Sequence, residues 1–399
     1  MKSKKLLKRK NRVLPYSRQL IDNIDIRNVV SVLKSDFLTQ GNKVPQFEND
    51  LTRFTNAKFA VAVNSATSAL HIACLAIDLK KNDKVWTTNT SFVASANCAA
   101  YCGAVLDFID IELDTYNIDL DQLEKKLKRS KKNLLPKAII VVHMAGQPVD
   151  MPRVKKLSKK YKFKIIEDAS HALGSSVSSE KIGNCKYSDI CVFSFHPVKP
   201  ITSGEGGAAL TNSINYYRKM SVLRNHGIEK DKKFLKNKTK GDYYYEQQYL
   251  GYNYRMSDIH ATLGISQLKK IRSFIKKRNK IASLYFKILK DLPIILPQRI
   301  PGSTSSYHLF IVRFKFNNEN IYKKIFNFLR SKKIYINLHY LPINQQPFYK
   351  KKSPTYIDLP KSKLYSTSAF SIPIFNSLTI SDIYFVKKIL ALAIKKFVR

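Results

Sequence analysis

The sequence predicts an α/β protein, with a mostly parallel central sheet covered by helices and a smaller C-terminal α/β domain. Three observations carry that expectation. Short apolar runs alternate with longer helical stretches through the first two thirds of the chain, the pattern of strands joined by crossover helices. Polar residues able to do chemistry fall where the apolar runs end, and an open parallel sheet takes its ligands outside the carboxyl ends of its strands. Beyond about residue 265 the texture changes to lysine-rich helices such as SQLKKIRSFIKKRNKIASLYFKIL and IYKKIFNFLRSKK, alternating with strands like YHLFIVRF. A chain of 399 residues is too long for one ordinary core, so we divide it into a basic tail at 1–13, a large domain at 14–265 and a small domain at 266–399.

Element by element, IDIRNVVSVLKSD has the apolar spacing of a helix, and FLTQGNKVPQFENDLTRF sets a Gly/Pro-marked loop before a second one. KFAVAVN, DKVWTTN, AVLDFIDI, PKAIIVVHMAG and KFKIIEDAS read as strands. Between them lie the helices SATSALHIACLAIDL, SFVASANCAAYCG, DLDQLEKKL and VDMPRVKKLSKKY. DICVFSF is a further strand, and GEGGAAL opens a short one after a turn. KDKKFLKNKTKGDYYYEQQ is polar enough to be a mobile loop.

Lys and Arg number 70 against 29 Asp and Glu, for a formal net charge of +41. Such an excess raises the question of a nucleic-acid or anionic-membrane partner. The lysines are spread through nearly every segment among many Ile, Asn and Tyr, however, so compositional drift accounts for them better than one selected face. We therefore expect neither nucleic acid nor membrane as partner, while a basic surface favours anionic small molecules. The five cysteines, Cys74, Cys98, Cys102, Cys185 and Cys191, are odd in number and lack CxxC spacing, which argues against a disulfide framework or a zinc site. No metal is expected. The basic start MKSKKLLKRKNR lacks the apolar stretch of a signal peptide, and no run of about 18 apolar residues occurs, so the expected location is the cytoplasm.

Four segments carry the chemistry. In VAVNSATSALHIA a strand ends and a helix begins at Asn64, Ser65, Ala66 and Thr67. Helix starts offer free N–H groups and the positive end of a dipole, a cradle for phosphate, although Ser and Thr there also serve as ordinary caps. KIIEDASHALG runs a buried strand into Glu167 and Asp168, and a carboxylate in such a place needs a partner. A protonated pyridine nitrogen is one; an N-cap or a structural ion pair is another. His171 fits core packing and a ligand contact equally. DICVFSFHPVKPITSGEGGAAL delivers Ser194, His196 and Lys199 into a turn bounded by Pro197 and Pro200. Desolvation in that apolar turn lowers a lysine's pKa and frees its amine to attack a carbonyl. Gly204, Gly206 and Gly207 match neither GxxxxGK[ST] nor GxGxxG and read as turn residues. GYNYRMSDIHATLG carries Asn253, Arg255 and Asp258 into a helix.

Together, FLTQGNKVPQFEND, NSATSALHIA, EDASHALG, SFHPVKPITSGEGGA, LRNHG and GYNYRMSD resemble, in order, the motifs of the DegT/StrS-type sugar aminotransferases, from about Leu14 to the end of the chain. The resemblance implies a fold type I transferase that uses pyridoxal 5'-phosphate (PLP). It implies Lys199 as the Schiff-base lysine, Asp168 as partner of the pyridine nitrogen and Phe92 as the aromatic stacked on the ring. It also implies Ala66, Thr67 and Ser194 as holders of the phosphate and His171 near the ring. Asn253 would reach the phosphate of a neighbouring subunit, which implies a homodimer with shared sites. His196, Arg224, His339 and Tyr340 would face the sugar. HPVKPITSGEGGA is most similar to the branch of the family in the pseudaminic acid pathway. That implies L-glutamate as amino donor and C4 of a UDP-linked 4-keto-6-deoxy-N-acetylhexosamine as acceptor, with another nucleotide-linked 3- or 4-keto sugar as the alternative. Sugar dehydratases of the same family carry histidine where this chain has Lys199.

Overall fold

A computed structural model describes residues 13–237, 241–351 and 358–398, so all but the last residue of the expected basic tail lies outside the described residues. Seven strands form the central sheet. They are β1 (Phe59–Val63), β2 (Lys84–Thr88), β3 (Val105–Ile109), β4 (Ala138–Val142), β5 (Lys164–Asp168), β6 (Ile190–Ser194) and β7 (Gly207–Thr211). Their order across the sheet is β1-β7-β6-β5-β4-β2-β3. From β6 to β3 every pairing is parallel. The AIIVV of β4 is buried along its whole length, as expected of a strand covered on both faces. β7 alone runs antiparallel to its neighbours, β6 and β1. The connection from β6 to β7 carries no helix, so the chain turns back beside the strand it has just left.

The covering helices include α1 (Asn23–Leu33), α2 (Lys43–Thr55), α3 (Ala66–Ala76), α4 (Ala94–Tyr101), α5 (Leu120–Arg129), α6 (Met151–Tyr161) and α7 (Ile214–Leu223). Several start on side-chain caps. Ser65 accepts the N–H of Ser68, Asp119 that of Gln122 and Asp150 that of Arg153. The single helix expected from SQLKKIRSF onward is broken into α8 (Asp258–Leu268) and α9 (Ile271–Leu289). The break falls at Lys269 and Lys270, where the Lys270 ammonium pairs with Asp22 and the buried Asp25 at the start of α1. Asp258, at the start of α8, accepts the N–H groups of Gly41 (2.7 Å) and Val44 (3.2 Å). A Cβ on Gly41 would meet that carboxylate at 2.2 Å, so the FLTQGN turn needs its glycine.

Two apolar cores meet along α9. Ile271, Phe274 and Ile275 at its start pack with Phe193 and Phe195 of the large unit, whereas Ile281, Ala282 and Tyr285 belong to a second core. That core lies on a sheet of β8 (Ile294–Ile295), β9 (Phe310–Phe314) and β10 (Ala369–Ile372), backed by α10 (Glu319–Ser331) and α11 (Ile380–Phe397). The expected boundary at 265 falls inside α8, and α9 after it carries residues of both cores. Leu14, expected in the large domain, packs in the second core because Leu14 and Pro15 pair with Ile334 and Tyr335. The polar stretch expected as a mobile loop is anchored where Ile228–Glu229 pair with Glu246–Gln247; residues 238–240 lie outside the described residues.

Phe193 is fully buried in β6, one residue before the strand ends in Ser194. Phe193→Ala leaves a large cavity in that core, and denaturant unfolding is expected to show a loss of about 3–5 kcal/mol; a loss under about 1 kcal/mol would show that β6 is not braced by this packing.

Candidate active site

The parallel strands β4, β5 and β6 end side by side at Val142, Asp168 and Ser194, and these ends form the floor of a cavity of about 550 Å³. The start of α3 contributes Ser65, Ala66 and Thr67, and the segment before α4 contributes Ser91 and Phe92. The turn after β6 brings in His196 and Lys199, and the second unit supplies His308, Asn337, His339 and Tyr340. Tyr16 enters from the N-terminal segment, held there as the Ser17 hydroxyl donates to Val198 O at 3.0 Å.

The start of α3 is open for an anion. Ser65 caps the N–H of Ser68. The N–H groups of Ala66 and Thr67 precede the first intrahelical bond. Close approach of this helix start to the sheet depends on Gly207 of β7, whose Cβ, if present, would sit 2.5 Å from Ala66 N and from Ser65 C. Backbone atoms cannot step aside, so the glycine read from sequence as a turn residue makes room for the cradle. Ser194 pairs with Gly207 in the strand register and lines the same end of the cavity.

Along β5 side chains alternate between faces. Glu167 points away and accepts from His143 Nε2 (2.7 Å), whose Nδ1 in turn takes the Val149 N–H. Asp168 lines the cavity, with Oδ2 accepting from the Ser95 hydroxyl at 2.6 Å and Oδ1 from Ser170 N–H at 3.2 Å. A carboxylate oxygen accepts two hydrogen bonds, so acceptor capacity remains for a donor in the cavity. A protonated ring nitrogen would fit there, and a phosphate would fit at the helix start, so the residues present suit the PLP that the sequence implied.

Burial in this cavity brings the Lys199 amine down to about 8, with the Asp168 charge pulling the other way. The histidines around it stay neutral. Burial holds His171 and His308 well below the ordinary value and takes His339 to about 3, with the Lys199 charge adding to the effect on each. The Ala145 N–H donates to His171 Nδ1, which leaves the ring proton on Nε2 to reach the Tyr340 hydroxyl at 3.1 Å. Phe92 keeps 54% of its surface open and faces Tyr340 at 5.8 Å between ring centroids.

Ten of the twelve residues to which the resemblance gives a site role therefore line one cavity. Arg224 does not. Its guanidinium is taken by Glu48 of α2 and by the Ala62 carbonyl at 2.8 Å, an ion pair under β1 that sets it apart from the expected sugar contact. Asn253 is exposed and bridges to Asn225, outside this cavity. Sequence reading missed Tyr16, Ser91, Ser95, His308 and Asn337. The pair Ser91 and Ser95, four apart and flanking Phe92, carried the one usable hint.

Below its pKa Lys199 is mostly ammonium, above it mostly free amine. Acylation of Lys199, followed by peptide mass spectrometry, is expected to reach half its maximum near pH 8, whereas exposed lysines follow about 10.4. Asp168→Asn removes the charge that helps retain the proton, so the midpoint moves to lower pH; a Lys199 profile matching that of the exposed lysines would contradict the burial argument.

The fold and these sequences have close counterparts. The chain is 38% identical over 389 residues to the UDP-4-amino-4,6-dideoxy-N-acetyl-beta-L-altrosamine transaminase of Campylobacter jejuni, covering 96% of this chain and 98% of that protein. It superposes on Helicobacter pylori PseC, an aminotransferase involved in the biosynthesis of pseudoaminic acid, with a TM-score of 0.89 and 32% identity, over 97% of this chain and 100% of that one. A putative sugar aminotransferase of Streptococcus pneumoniae in its PLP-form matches with a TM-score of 0.88 and 26% identity, over 97% and 100% of the two chains. The model of the DegT/DnrJ/EryC1/StrS aminotransferase family matches residues 19–391, and the chain belongs to that family.

Proposed function

We propose that this chain is a PLP-dependent aminotransferase that moves the amino group of L-glutamate to C4 of a UDP-linked 4-keto-6-deoxy-N-acetylhexosamine, releasing 2-oxoglutarate. The observation that carries the reading is Lys199, an amine of pKa about 8 sharing a cavity with the hydrogen-bonded carboxylate of Asp168. The choice of sugar rests on the relatives from Campylobacter jejuni and Helicobacter pylori, 38% and 34% identical, that carry the altrosamine transaminase name.

Bound PLP supplies a carbonyl that condenses with amines and a ring that withdraws electrons from the carbon losing its proton. The chain does the rest. The N–H groups of Ala66 and Thr67 and the Ser194 hydroxyl take the phosphate, and Phe92 covers the ring. Asp168 keeps a proton on the ring nitrogen, because an adjacent anion favours the cationic form. Lys199 Nζ would carry the proton from the donor's Cα to the cofactor carbon that bears the transferred nitrogen, and in the second half from that carbon to C4 of the sugar. His171, kept uncharged, holds the Tyr340 hydroxyl in place, and His196, His339 and Tyr340 face the remaining space where a sugar would lie.

The working unit in this reading is a cytoplasmic homodimer. Ile26, Val30 and Leu33 are exposed at positions that share one face of α1, and Phe37 and Leu38 are exposed just after it, a surface that a second subunit would cover. Asn253, exposed beyond its own cavity, would then serve the partner's site. No helix among the described residues is long and apolar enough to cross a membrane, and the five cysteines are free thiols, which suits a reducing compartment.

Incubation with L-glutamate and a panel of UDP- and dTDP-linked 4-keto sugars, followed by mass spectrometry, is expected to give a UDP-linked 4-amino sugar and 2-oxoglutarate. Lys199→Ala is expected to reduce turnover by at least about 10³-fold; full activity of that variant would remove the assignment. Light scattering is expected to return twice the chain mass of 45.9 kDa, and Asn253→Ala to weaken PLP retention. A monomer that keeps its cofactor normally would refute the shared site.

A further inference from the structure

The acid that faces the cavity is not held by its own strand alone. Asp168 Oδ2 accepts from the Ser95 hydroxyl at 2.6 Å, and the Ser95 and Ser91 oxygens lie 2.8 Å apart. Both serines are buried, at 0% and 2% exposure, so water does not compete for these bonds. A hydroxyl carries one proton. With that of Ser95 committed to Asp168, the bond between the serines runs from the Ser91 hydroxyl to the Ser95 oxygen. The result is a directed chain, Ser91 to Ser95 to Asp168, in which each bond polarises the next.

This is not how hydroxyls in helices of this chain usually behave. Ser31, Thr55 and Ser331 donate to a carbonyl three or four residues earlier in their own helix. Ser95, in the first turn of α4, donates across to the carboxylate of β5 instead. Its distance of 2.6 Å is that of a charge-assisted O–H to carboxylate bond. The segment that carries both serines is itself fixed from the second unit. The backbone of Ile343 donates to Asn89 O at 2.8 Å and that of Asn344 to Asn89 Oδ1 at 3.0 Å. Phe92 lies between the two serines, so one segment sets the position of the acid and of the aromatic face together.

We propose that Ser91 and Ser95 form a hydroxyl relay that fixes the orientation of the Asp168 carboxylate toward the cofactor ring, with Ser95 as a positioning residue of the site. The proposal rests on the PLP reading above. It adds the device that holds the carboxylate plane in one orientation, with Ser95 on Oδ2 and the Ser170 N–H on Oδ1, while acceptor capacity remains for a ring N–H.

The test is equilibrium PLP binding to purified apo-protein, followed by the visible absorbance of the bound cofactor, with thermal unfolding of each apo-variant alongside. Ser95→Ala is expected to weaken binding about 10- to 100-fold, the range for a hydrogen bond to a charged group. Ser91→Ala is expected to weaken it by a smaller factor, and to add nothing in the Ser95→Ala background. The decisive comparison uses Asp168→Asn. If Ser95 acts through Asp168, Ser95→Ala changes binding less than about twofold once Asp168 is Asn. An equal loss in both backgrounds, or a loss that merely tracks apo-protein unfolding, would assign Ser95 a structural role and overturn the relay. Normal PLP binding by the Ser95→Ala variant would overturn it while leaving the functional reading intact; a wild-type protein that binds no PLP would remove that reading and the relay with it.

Discussion

The site depends on one pairing, a lysine and an aspartate of opposite charge placed in the same desolvated cavity. Each would be costly to bury alone. Burial drives the Lys199 amine toward its neutral form and the Asp168 charge restrains that drive, so the amine settles near the pH of the cell. The surrounding groups preserve this balance. His171, His308 and His339 are all kept neutral by burial, so none competes with Lys199 as a cation.

The rest of the molecule holds these two groups and the helix start in register. Parallel pairing sets Asp168 beside Val142 and Val192, so the acid stands at the edge where the strands end. The turn after β6 has no helix to carry it away, which returns β7 alongside and leaves Lys199 at the same edge. Gly207 then lets α3 sit down against that strand. The far wall comes from the second unit, and its attachment runs through Arg278. That buried side chain donates to the carbonyls of Tyr307 and Ile374 at 3.0 Å and approaches Ser17 Oγ at 3.5 Å. It thereby ties together the segments bearing His308 and Tyr16, both of which line the cavity. Burial lowers this guanidinium to about 10, and uncharged oxygens, those carbonyls and the Ser17 hydroxyl, hold its charge.

Much of this was legible in the sequence, for local reasons. The strands of the sheet announced themselves as short apolar runs; Asp168 and Ser194 could be placed because they stand at the ends of such runs, and Lys199 because its turn follows one. Ala66 and Thr67 were legible as a helix start. What stayed hidden depends on contacts between distant segments. Nothing in TTNTSFVASAN says that Ser95 will meet an aspartate 73 positions away. Arg224 looked available for substrate because its partner, Glu48, lies 176 residues back along the chain. The break between α8 and α9 has the same origin, since an unbroken helical pattern cannot reveal that Lys270 is drawn to two aspartates of α1. The direction of β7 was also beyond the pattern, which gives a strand its place in the chain and not its sense in the sheet.

The most direct test of the central claim is chemical trapping. Apo-protein incubated with PLP, reduced with borohydride and digested should yield a single modified peptide, with the adduct on Lys199 among the many lysines of this basic chain. An adduct scattered over surface lysines, or concentrated on another residue while Lys199 stays unmodified, would contradict the account.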